Sequence, residues 1–356
     1  MWQWGRRGAG PRFGAMLAQS FAQVPDTRAL LSLSTGAEIL RSRTPPETDL
    51  YFKTYRGVGG FVRRVLSAPV LLPRLERWIR DQRIDVGLCA MPAALDLTMA
   101  AALRRAGVPF AVVVHDANSH PGDVFPVQML LQRRLLQDAQ GLFALTNHVA
   151  DGIRAQRLDQ GRPLFMASLP PFRFGPPPAP PLEHGGPMRL LSFGRLLPYK
   201  GLDLLLEGMT RLGPRPDFVL RVVGEGPSSP ALDALRRLPG VTVENRWVPE
   251  DEVGTLLAWS DALVLSHREA SQSGVAAAAI AARRWVVATR VGGLAEQLRH
   301  EPMARMCDPS AAALAQTLAA LLTERPAPAA EAGRFGADSS VAARMVDDLR
   351  SILNLG

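Results

Sequence analysis

Short apolar segments alternate with helix-forming segments through the second half of the chain. Met188–Phe193, Ala262–Leu265 and Trp285–Ala288 have the composition of buried strands, and Gly201–Leu212 has the periodicity of an amphipathic helix. Strands that are apolar on both faces are typical of a parallel sheet covered by helices on each side. The alternation therefore predicts an α/β domain with a doubly wound sheet.

The first half contains a sparser version of the same pattern. Val86–Cys89 and Phe110–Val114 are predicted strands, and Gly141–Leu145 is a further candidate. Helices are predicted over Asp96–Ala106 and Val127–Gln140. The predicted fold class is thus α/β, with two Rossmann-like, doubly wound domains that would bind ligands at the carboxyl ends of their strands.

A proline-rich stretch, Leu169–Pro187, lies between the two halves. Its prolines lack a main-chain N–H and exclude regular helix or strand. A chain of 356 residues with 47% apolar side chains is long enough for two cores. We therefore predict an N-terminal domain over residues 1–182, a C-terminal domain over 183–335 and a final helix within 336–356. The N-terminal domain is one candidate partner for that helix.

The formal net charge of +8 belongs entirely to the first half. Residues 1–185 hold 22 Lys and Arg against 14 Asp and Glu, whereas residues 186–356 hold 19 of each. A basic half suits an anionic membrane, a phosphorylated substrate or nucleic acid. Because no basic motif interleaved with aromatic residues is present, nucleic acid is the least favoured of these partners.

The remaining composition indicates a cytoplasmic protein. Cys89 and Cys307 are far apart and lack metal-type spacing, which favours reduced thiols and predicts no metal site. The chain starts without a signal-peptide pattern, and no apolar run approaches the roughly 18 residues that a membrane-spanning helix needs.

Two cations follow the first predicted strand of the second half. Arg195 and Lys200 lie within the segment Gly194–Gly201, just before a predicted helix. A guanidinium fork and an ammonium beside a helix N-terminus suit a diphosphate, although either residue alone is equally well an ordinary surface cation. The next predicted strand ends in Gly224 and Gly226, which indicates a tight turn or a close approach of ligand to backbone.

A third segment, Glu269–Val275, lies where another strand passes into a helix. Its small polar residues and glycine open that helix, whose unpaired N–H groups suit a phosphate. The Glu269 carboxylate can accept hydrogen bonds from sugar hydroxyls. Phosphate and sugar together indicate a nucleotide-sugar site.

These segments lie between about Met188 and Leu298, in the same order as the motifs of one known protein family. They comprise Gly-Arg-Leu-x-Pro-x-Lys-Gly, Gly-x-Gly-Pro, Trp247-Val-Pro-Glu, Ser260-Asp-Ala-Leu-Val-Leu-Ser, the Glu269 segment and Val291-Gly-Gly-Leu-x-Glu. The series resembles the donor half of retaining GT-B glycosyltransferases, family four. The resemblance implies two facing Rossmann-like domains, and metal-independent, cofactor-free transfer of a sugar from a nucleotide diphosphate with retention at the anomeric carbon.

The resemblance also implies roles for individual residues. The implied sites are a donor-sugar contact at Glu269, diphosphate contacts at Arg195, Lys200, Ser273, Gly274 and Val275, and nucleotide contacts at Gly224, Gly226, Trp247 and Val248. The chain departs from the family at Ala277, where a second Glu usually holds the ribose diol. The sequence Ser271-Gln-Ser-Gly-Val275 resembles that of a bacterial subgroup that assembles extracellular polysaccharide.

The first half offers a candidate catalytic histidine. His115 follows the apolar strand Phe110–Val114 in a position similar to that of a histidine in the family. It can hydrogen-bond the donor sugar or accept the acceptor's proton. Asp116 is able either to orient His115 or to cap the next segment.

A glycine loop that contains Gly8 and Gly10 precedes a helix predicted over Arg12–Gln23. It resembles the family's first loop, which contacts the acceptor and the diphosphate, although a glycine turn alone is weak evidence. Only four residues precede Gly5, so the first strand is expected to be very short or to lack upstream residues.

Residues 60–83 place six arginines among aromatic and leucine side chains. This pattern fits either docking on an anionic leaflet or an ordinary amphipathic helix on its own sheet. With the basic first half, we favour membrane docking. The resulting hypothesis is a cytoplasmic glycosyltransferase, peripheral on the inner membrane face, that acts on a saccharide or lipid-linked saccharide in cell-surface glycan synthesis. The alternatives are a non-catalytic nucleotide-sugar-binding relative and a nucleotide-sugar epimerase of the same architecture.

Overall fold

A computed structural model describes residues 1–118, 126–175, 184–327 and 339–353. These residues form two compact units, each built on one parallel sheet. The first unit takes in the described residues up to Ser168 together with the last helix, and the second extends from Leu169. The boundary between the two units thus lies at the start of the proline-rich stretch. The domain boundary predicted from the sequence lies between residues 182 and 183.

The first unit contains a seven-stranded sheet with the order β3-β2-β1-β4-β5-β6-β7, in which every described pair is parallel. Its strands are β1 Trp2–Gln3, β2 Ser32–Ser34, β3 Leu50–Phe52, β4 Gly87–Cys89, β5 Phe110–Val114, β6 Gly141–Ala144 and β7 Leu164–Met166. The two-residue β1 lies between β2 and β4.

Helices pack on this sheet and bury its apolar side chains. They are α1 Ala9–Phe21, α3 Ala68–Asp81, α4 Asp96–Ala106, α5 Pro126–Asp138 and α6 Asn147–Ala155. Helix α2 Gly57–Leu66 belongs to the same unit but buries none of its residues. A continuous core forms around Trp2, Phe110 and Ile79, with Trp2 packed edge-on against Phe110. Helix α1 starts at Ala9, three residues before the predicted start, because Gly8 takes a positive φ of 81° and ends the loop there.

The second unit contains a six-stranded parallel sheet with the order β10-β9-β8-β11-β12-β13. Its strands are β8 Met188–Phe193, β9 Phe218–Gly224, β10 Val241–Asn245, β11 Ala262–Leu265, β12 Trp285–Thr289 and β13 Ala304–Cys307. Its helices are α7 Leu202–Leu212, α8 Pro230–Leu235, α9 Glu250–Trp259, α10 Gly274–Ala281, α11 Gly292–Leu298 and α12 Ala311–Glu324. Met188, Leu205 and Val287 belong to its buried core.

The last helix, α13 Ser339–Leu353, packs against α1 of the first unit. Arg350 donates to the carbonyl of Pro25 at 3.4 Å, just beyond the end of α1. Ile352 is buried and lies so close to Gly141 that a Cβ there would come within 2.6 Å of its Cδ1. The chain therefore crosses to its second unit and returns to complete the first.

The sequence pattern missed several short elements. Strands β2, β3, β7 and β13 and helix α6 were not predicted. Strand β2, Ser32-Leu33-Ser34, is fully buried although two of its three residues are polar. The Ser32 hydroxyl accepts from Trp4 Nε1 at 3.0 Å, which explains how a polar strand is buried without an apolar pattern.

Candidate active site

The loops that carry most of the predicted residues meet at one edge of the second sheet. Because all its strands are parallel, their carboxyl ends share that edge. The strand order reverses between β8 and β11, and an open α/β sheet binds ligands at such a point. The loop after β8 carries Arg195 and Lys200, and the loop after β11 carries Glu269, so the structure brings these segments together at the switch point.

Two cations and two aromatic rings form a cluster there. The Lys200 ammonium lies 2.7 Å from His267 Nε2, and Arg195 donates to the Tyr199 hydroxyl at 2.9 Å. Arg195 and Lys200 also lie 5.7 Å and 5.2 Å from the centre of the Tyr199 ring. Tyr199 and His267 are buried, whereas Arg195 is exposed and Lys200 half-buried. The buried rings thus hold two cations at the carboxyl ends of β8 and β11.

Sequence reasoning missed Tyr199 and His267. Tyr199 lies inside the predicted diphosphate segment, so its position between the two cations was a usable signal. His267 is 67 residues from Lys200, and only the pairing of β11 beside β8 brings it into contact. An ammonium can only donate, so His267 Nε2 accepts and carries no proton there.

Gly201 fixes the close approach of the two loops. It has a φ of 65°, precedes α7 directly, and would place a Cβ 2.0 Å from the carbonyl oxygen of Ser266. The Ser266 hydroxyl donates to the Lys200 carbonyl at 3.0 Å, and the Arg268 N–H to the Tyr199 carbonyl at 2.9 Å. The cation-bearing loop is therefore tied to the β11 loop through its backbone.

Gly224 at the end of β9 and Gly226 just after it have a packing role. A Cβ on Gly224 would lie 1.7 Å from the Gly194 carbonyl, and one on Gly226 would lie 2.2 Å from the Leu196 carbonyl. The Asn245 side chain both accepts from the N–H of Gly226 and donates to its carbonyl, at 3.1 and 3.0 Å. The chain's own backbone thus fills the space beside both glycines, and their contact with a nucleotide stays a prediction.

Trp247 and Val248 follow β10 at the same edge. Val248 is buried and Trp247 half-buried. The N–H of Arg246 donates to the Gly224 carbonyl at 2.7 Å, and its guanidinium pairs with Glu244 and Glu252. These carboxylates raise the pKa of Arg246 and hold the loop beside the β9 turn.

The Glu269 loop leads into α10. Glu269 is exposed, and Ser273 caps α10 by accepting from the N–H of Ala276 at 3.2 Å. The N–H of Ser273 donates to Gln297 Oε1 at 2.8 Å, and Gln297 Nε2 donates back to the Ser273 carbonyl. Because Ser273 is committed in this way, the first-turn N–H groups of Gly274 and Val275 are the better anion donors.

Ala277, where the family usually has a ribose-binding acid, lies inside α10 and is 0% exposed. The structure therefore offers no carboxylate from this position. Among the described residues, no group of three or more His, Cys, Asp or Glu side chains is arranged to hold a metal ion.

In the first unit, His115 lies at the carboxyl end of β5. It is buried, its ring packs edge-on against Phe13 at 4.8 Å, and its Nε2 lies 2.9 Å from the Ala90 carbonyl. Because a carbonyl only accepts, Nε2 carries the proton and Nδ1 is the basic nitrogen. Burial lowers the pKa of His115, against a smaller raising effect of the Ala90 bond and Asp116. The imidazole is therefore neutral at pH 7 and fit to accept a proton.

The glycine loop before α1 lies at the carboxyl end of β1. Gly8 has open space around it, whereas a Cβ on Gly10 would lie 2.6 Å from Gln3 Nε2 and 3.0 Å from Met91 Sδ. The buried Gln3 side chain also accepts from the N–H of Gly5 at 3.0 Å. Gly10 lies in the first turn of α1 rather than in the loop, and it packs closely against the Gln3 and Met91 side chains. Contact with a ligand stays a prediction for both glycines.

The arginine-rich segment forms α2 and α3, with Pro69 in the first turn of α3. Helix α3 packs on its own sheet through Leu75 and Ile79, which is the ordinary amphipathic arrangement. Helix α2 buries none of its residues and exposes Val58, at 81%, among other apolar side chains. Among the described residues, none of the helices is both long and apolar enough to traverse a bilayer.

Comparison with known proteins defines the class. Residues 187–324 match the family model described as "Glycosyl transferases group 1", and residues 13–167 match "Glycosyl transferase 4-like domain". The two matches lie one in each unit and together span most of the chain, which therefore belongs to the group 1 glycosyltransferases of GT-B fold. It is an enzyme of the hexosyltransferase type.

Individual proteins resemble the chain in sequence or in fold. The chain is 28% identical over 288 residues to a 2-deoxystreptamine glucosyltransferase of Streptomyces kanamyceticus, covering 71% of this chain and 70% of that one. It shares its fold with Anabaena HepE in complex with UDP and glucose, with a TM-score of 0.66, 16% identity and 99% and 97% of the two chains covered. A putative UDP-N-acetylglucosamine 2-epimerase of Listeria monocytogenes has a TM-score of 0.63 at 12% identity, with 100% and 96% covered.

Proposed function

We propose that the protein transfers a sugar from a nucleotide diphosphate donor to an acceptor hydroxyl with retention at the anomeric carbon. The observation that carries this proposal is the placement of Arg195 and Lys200 around Tyr199 at the switch point, before α7. Two preorganised cations beside a helix N-terminus stabilise the charge that develops on a departing diphosphate. In this proposal they supply that compensation without a metal ion or cofactor.

The proposed step forms one bond and breaks one. The acceptor oxygen bonds to the anomeric carbon on the face from which the diphosphate leaves, while the bond from that carbon to the β-phosphate oxygen breaks. The acceptor's proton passes to the leaving oxygen. Glu269 accepts from hydroxyls of the donor sugar. The neutral His115 either hydrogen-bonds that sugar or, through Nδ1, relays the acceptor's proton to the leaving oxygen.

The proposed donor is a UDP-sugar, because Anabaena HepE of the same fold was solved with UDP, with UDP and glucose, and with UDP-glucose. Gly274 and Val275 of α10 would donate to the phosphates, and the Gly224, Gly226, Trp247 and Val248 loops would receive the nucleoside. Since position 277 is Ala, the ribose is held with one carboxylate fewer than in the usual family pattern.

The proposed acceptor is a saccharide or lipid-linked saccharide of a cell-surface glycan, and the proposed location is the inner membrane face. The exposed apolar side chains of α2 beside a basic first half support this location. Co-sedimentation with vesicles of phosphatidylglycerol tests it. The serine variant V58S/L66S is expected to sediment less than the wild type, and equal sedimentation would contradict the membrane proposal.

An epimerase is the second candidate, because the Listeria epimerase shares the fold. Purified protein is incubated with a panel of UDP-sugars, with and without lipid-linked acceptors, and nucleotide diphosphate release is measured. Acceptor-dependent release with an α-linked product from an α-linked donor supports the proposal, and chelation of metals is expected to leave the rate unchanged. An isomerised sugar without release favours the epimerase. Binding without either reaction favours a non-catalytic protein.

A further inference from the structure

A strongly basic cavity lies at the carboxyl edge of the first sheet, beside β2 and β3. Its volume is about 680 Å³, ample for a phosphorylated sugar. Six of its lining side chains are cations, and none is a carboxylate. The cations are Arg6, Arg41, Lys53, Arg56, Arg63 and Arg64. So many like charges in one cavity, without a counterion from the protein, indicate an anionic ligand.

The cations come from separate parts of the unit. Arg6 follows β1, Lys53 and Arg56 follow β3, and Arg63 and Arg64 belong to α2. Over the described ranges, none of the six makes an ion pair with an Asp or Glu. Salt bridges elsewhere in the unit do exist, such as Arg105 with Glu76 at 2.7 Å. The cavity thus concentrates cations that the fold itself leaves uncompensated.

Two of the arginines are held in place by the backbone. Arg6 donates to the Tyr55 carbonyl at 3.2 Å, and Arg64 donates to the Lys53 carbonyl and stacks 5.1 Å from the centre of the Phe52 ring. Burial and, to a smaller extent, Arg63 lower the pKa of Arg64, so its charged form is disfavoured mainly by desolvation and in part by repulsion. An oxyanion between them would relieve that repulsion.

The remaining lining is also suited to oxygen atoms of a phosphate. Thr35 and Thr54 bring hydroxyl groups to the lining, whereas the Ser67 hydroxyl is occupied as a donor to the Arg64 carbonyl at 2.7 Å. Gly59 and Gly60 leave the wall without bulky side chains. Guanidinium groups bind phosphates through paired N–H donors, and hydroxyls add single donors.

Helix α2 joins this cavity to an apolar surface. Arg63 and Arg64 line the cavity, while Val58, Val62 and Leu66 of the same helix are exposed, at 81%, 49% and 75%. A lipid-linked phosphate would match both features, because its head is anionic and its chain apolar.

We infer that this cavity binds a phosphate or diphosphate ester group carried by the acceptor. The inference of an anion site rests on the charge of the cavity alone. The assignment of that anion to the acceptor rests in addition on the proposed transferase function. The ester has two sources, a lipid-linked diphosphate or a water-soluble phosphorylated sugar.

Calorimetric titration with inorganic pyrophosphate tests the site. The background variant R195A/K200A removes binding at the proposed donor site, so the remaining signal reports the cavity. Adding R56E/R63E is expected to weaken pyrophosphate binding by at least about tenfold, since two exposed donors become repulsive. R41E, in the 3₁₀ helix Glu38–Arg41, is expected to weaken it in the same direction.

The matched control is R74E/R77E on α3, which changes the net charge equally at two exposed arginines outside the cavity. It is expected to weaken binding by less than about threefold. An equal loss in the control, or no loss in R56E/R63E and R41E, would overturn the inference. Binding is measured without turnover, so this failure leaves the transferase proposal standing. Absence of donor consumption in the transfer assay, conversely, would leave the anion site intact.

Farnesyl pyrophosphate distinguishes the two sources. Binding more than about tenfold tighter than inorganic pyrophosphate, with the gain lost in V58S/V62S/L66S, assigns a lipid-linked ester, because only a lipid contacts the α2 surface. Equal affinity for the two probes assigns a water-soluble phosphorylated acceptor. Each result supports the anion site and selects its source.

Discussion

The Lys200 ammonium and the His267 imidazole lie 2.7 Å apart at the switch point of the second sheet. Their strands, β8 and β11, are neighbours in the sheet but distant in the chain. His267 is buried, and its carbonyl accepts from the hydroxyl of Thr289 at 2.5 Å, so both its backbone and its ring are fixed. The imidazole therefore orients the ammonium that we propose as a diphosphate ligand.

Replacement of Lys200 by Ala is expected to lower kcat/KM for the donor by about 10²-fold, the usual cost of one lost donor to a developing anion. H267Q is expected to cost about tenfold, because Gln still accepts from the ammonium but in a looser geometry. The double variant should be no worse than K200A, since His267 acts through Lys200. Initial rates of nucleotide diphosphate release measure all three.

The control for this series is R268A. Arg268 is adjacent to His267 but points to an exposed ion pair with Asp203 at 2.6 Å. Its loss is expected to change kcat/KM by less than about threefold. Additive losses in the Lys200 and His267 double variant would show that the two residues act independently.

A second prediction concerns two left-handed glycines, Gly201 before α7 and Gly107 after α4. G201A is expected to destabilise the protein by more than about 3 kcal/mol, because the new Cβ would meet the Ser266 carbonyl at 2.0 Å and the φ of 65° is itself strained. G107A has a similar left-handed backbone, with φ 73° and ψ 23°, but nothing within 4 Å, so it should cost only about 1 kcal/mol. Urea denaturation of both variants separates the collision from the backbone strain, and equal losses would refute the assigned contact.

Most strands of the second unit could be predicted because they are largely apolar, whereas β13, which was missed, contains Arg305. The predicted bounds of Met188–Phe193 and Ala262–Leu265 agree with the structure residue for residue. The cations of the site could also be placed, because Arg195 and Lys200 follow such a strand. Here local composition and tertiary environment agree, since a strand buried on both faces has to be apolar along its length.

The other features of the fold and the site depend on contacts between distant segments, which the local amino-acid composition does not indicate. Three-residue strands such as β2 are too short for a periodicity, and Ser32 is buried through a hydrogen bond. His267 acquires a partner only when β11 pairs beside β8. The cavity cations Arg6, Lys53 and Arg63 come from three segments, so the sequence showed a basic half but gave no sign of a common cavity.

A third prediction concerns Asp96, which is buried behind β4. Burial raises its pKa to about 7, although the N–H of Ala93 at 2.6 Å and the Cys89 thiol at 3.2 Å oppose this increase. The unfolded chain releases this proton near pH 4, whereas the folded chain retains it to about 7. Between these values the folded state binds more protons, so this group makes stability fall as pH rises.

D96N removes that pH dependence. The free energy of unfolding of D96N relative to the wild type is expected to increase between pH 4 and 7, by about 1.4 kcal/mol for each step of one in pH. Urea denaturation at several pH values measures it. D85N, which removes an exposed carboxylate of the same unit, should stay parallel to the wild type. A parallel D96N curve would show that Asp96 is ionised in the folded protein.

The last prediction separates the two nitrogens of His115. Gln retains an N–H near Nε2 and can keep the 2.9 Å bond to the Ala90 carbonyl, but it has no base at Nδ1. H115Q is therefore expected to lower kcat by about 10²-fold while the free energy of unfolding changes by less than about 1 kcal/mol. H115A loses both groups and should cost stability as well.

The pH profile tests the same assignment. Because burial lowers the pKa of His115, the wild type should keep its activity below pH 6.5 and lose it as pH falls through the depressed pKa, when the imidazole is protonated. H115Q should lack that acid limb. If H115Q keeps the limb together with its reduced rate, the titrating group is another residue and His115 only positions the loop after β5. Rates of the wild type and of H115Q, measured at each pH by a method that acid does not affect, distinguish these outcomes. The unfolded fraction is measured at each pH as well.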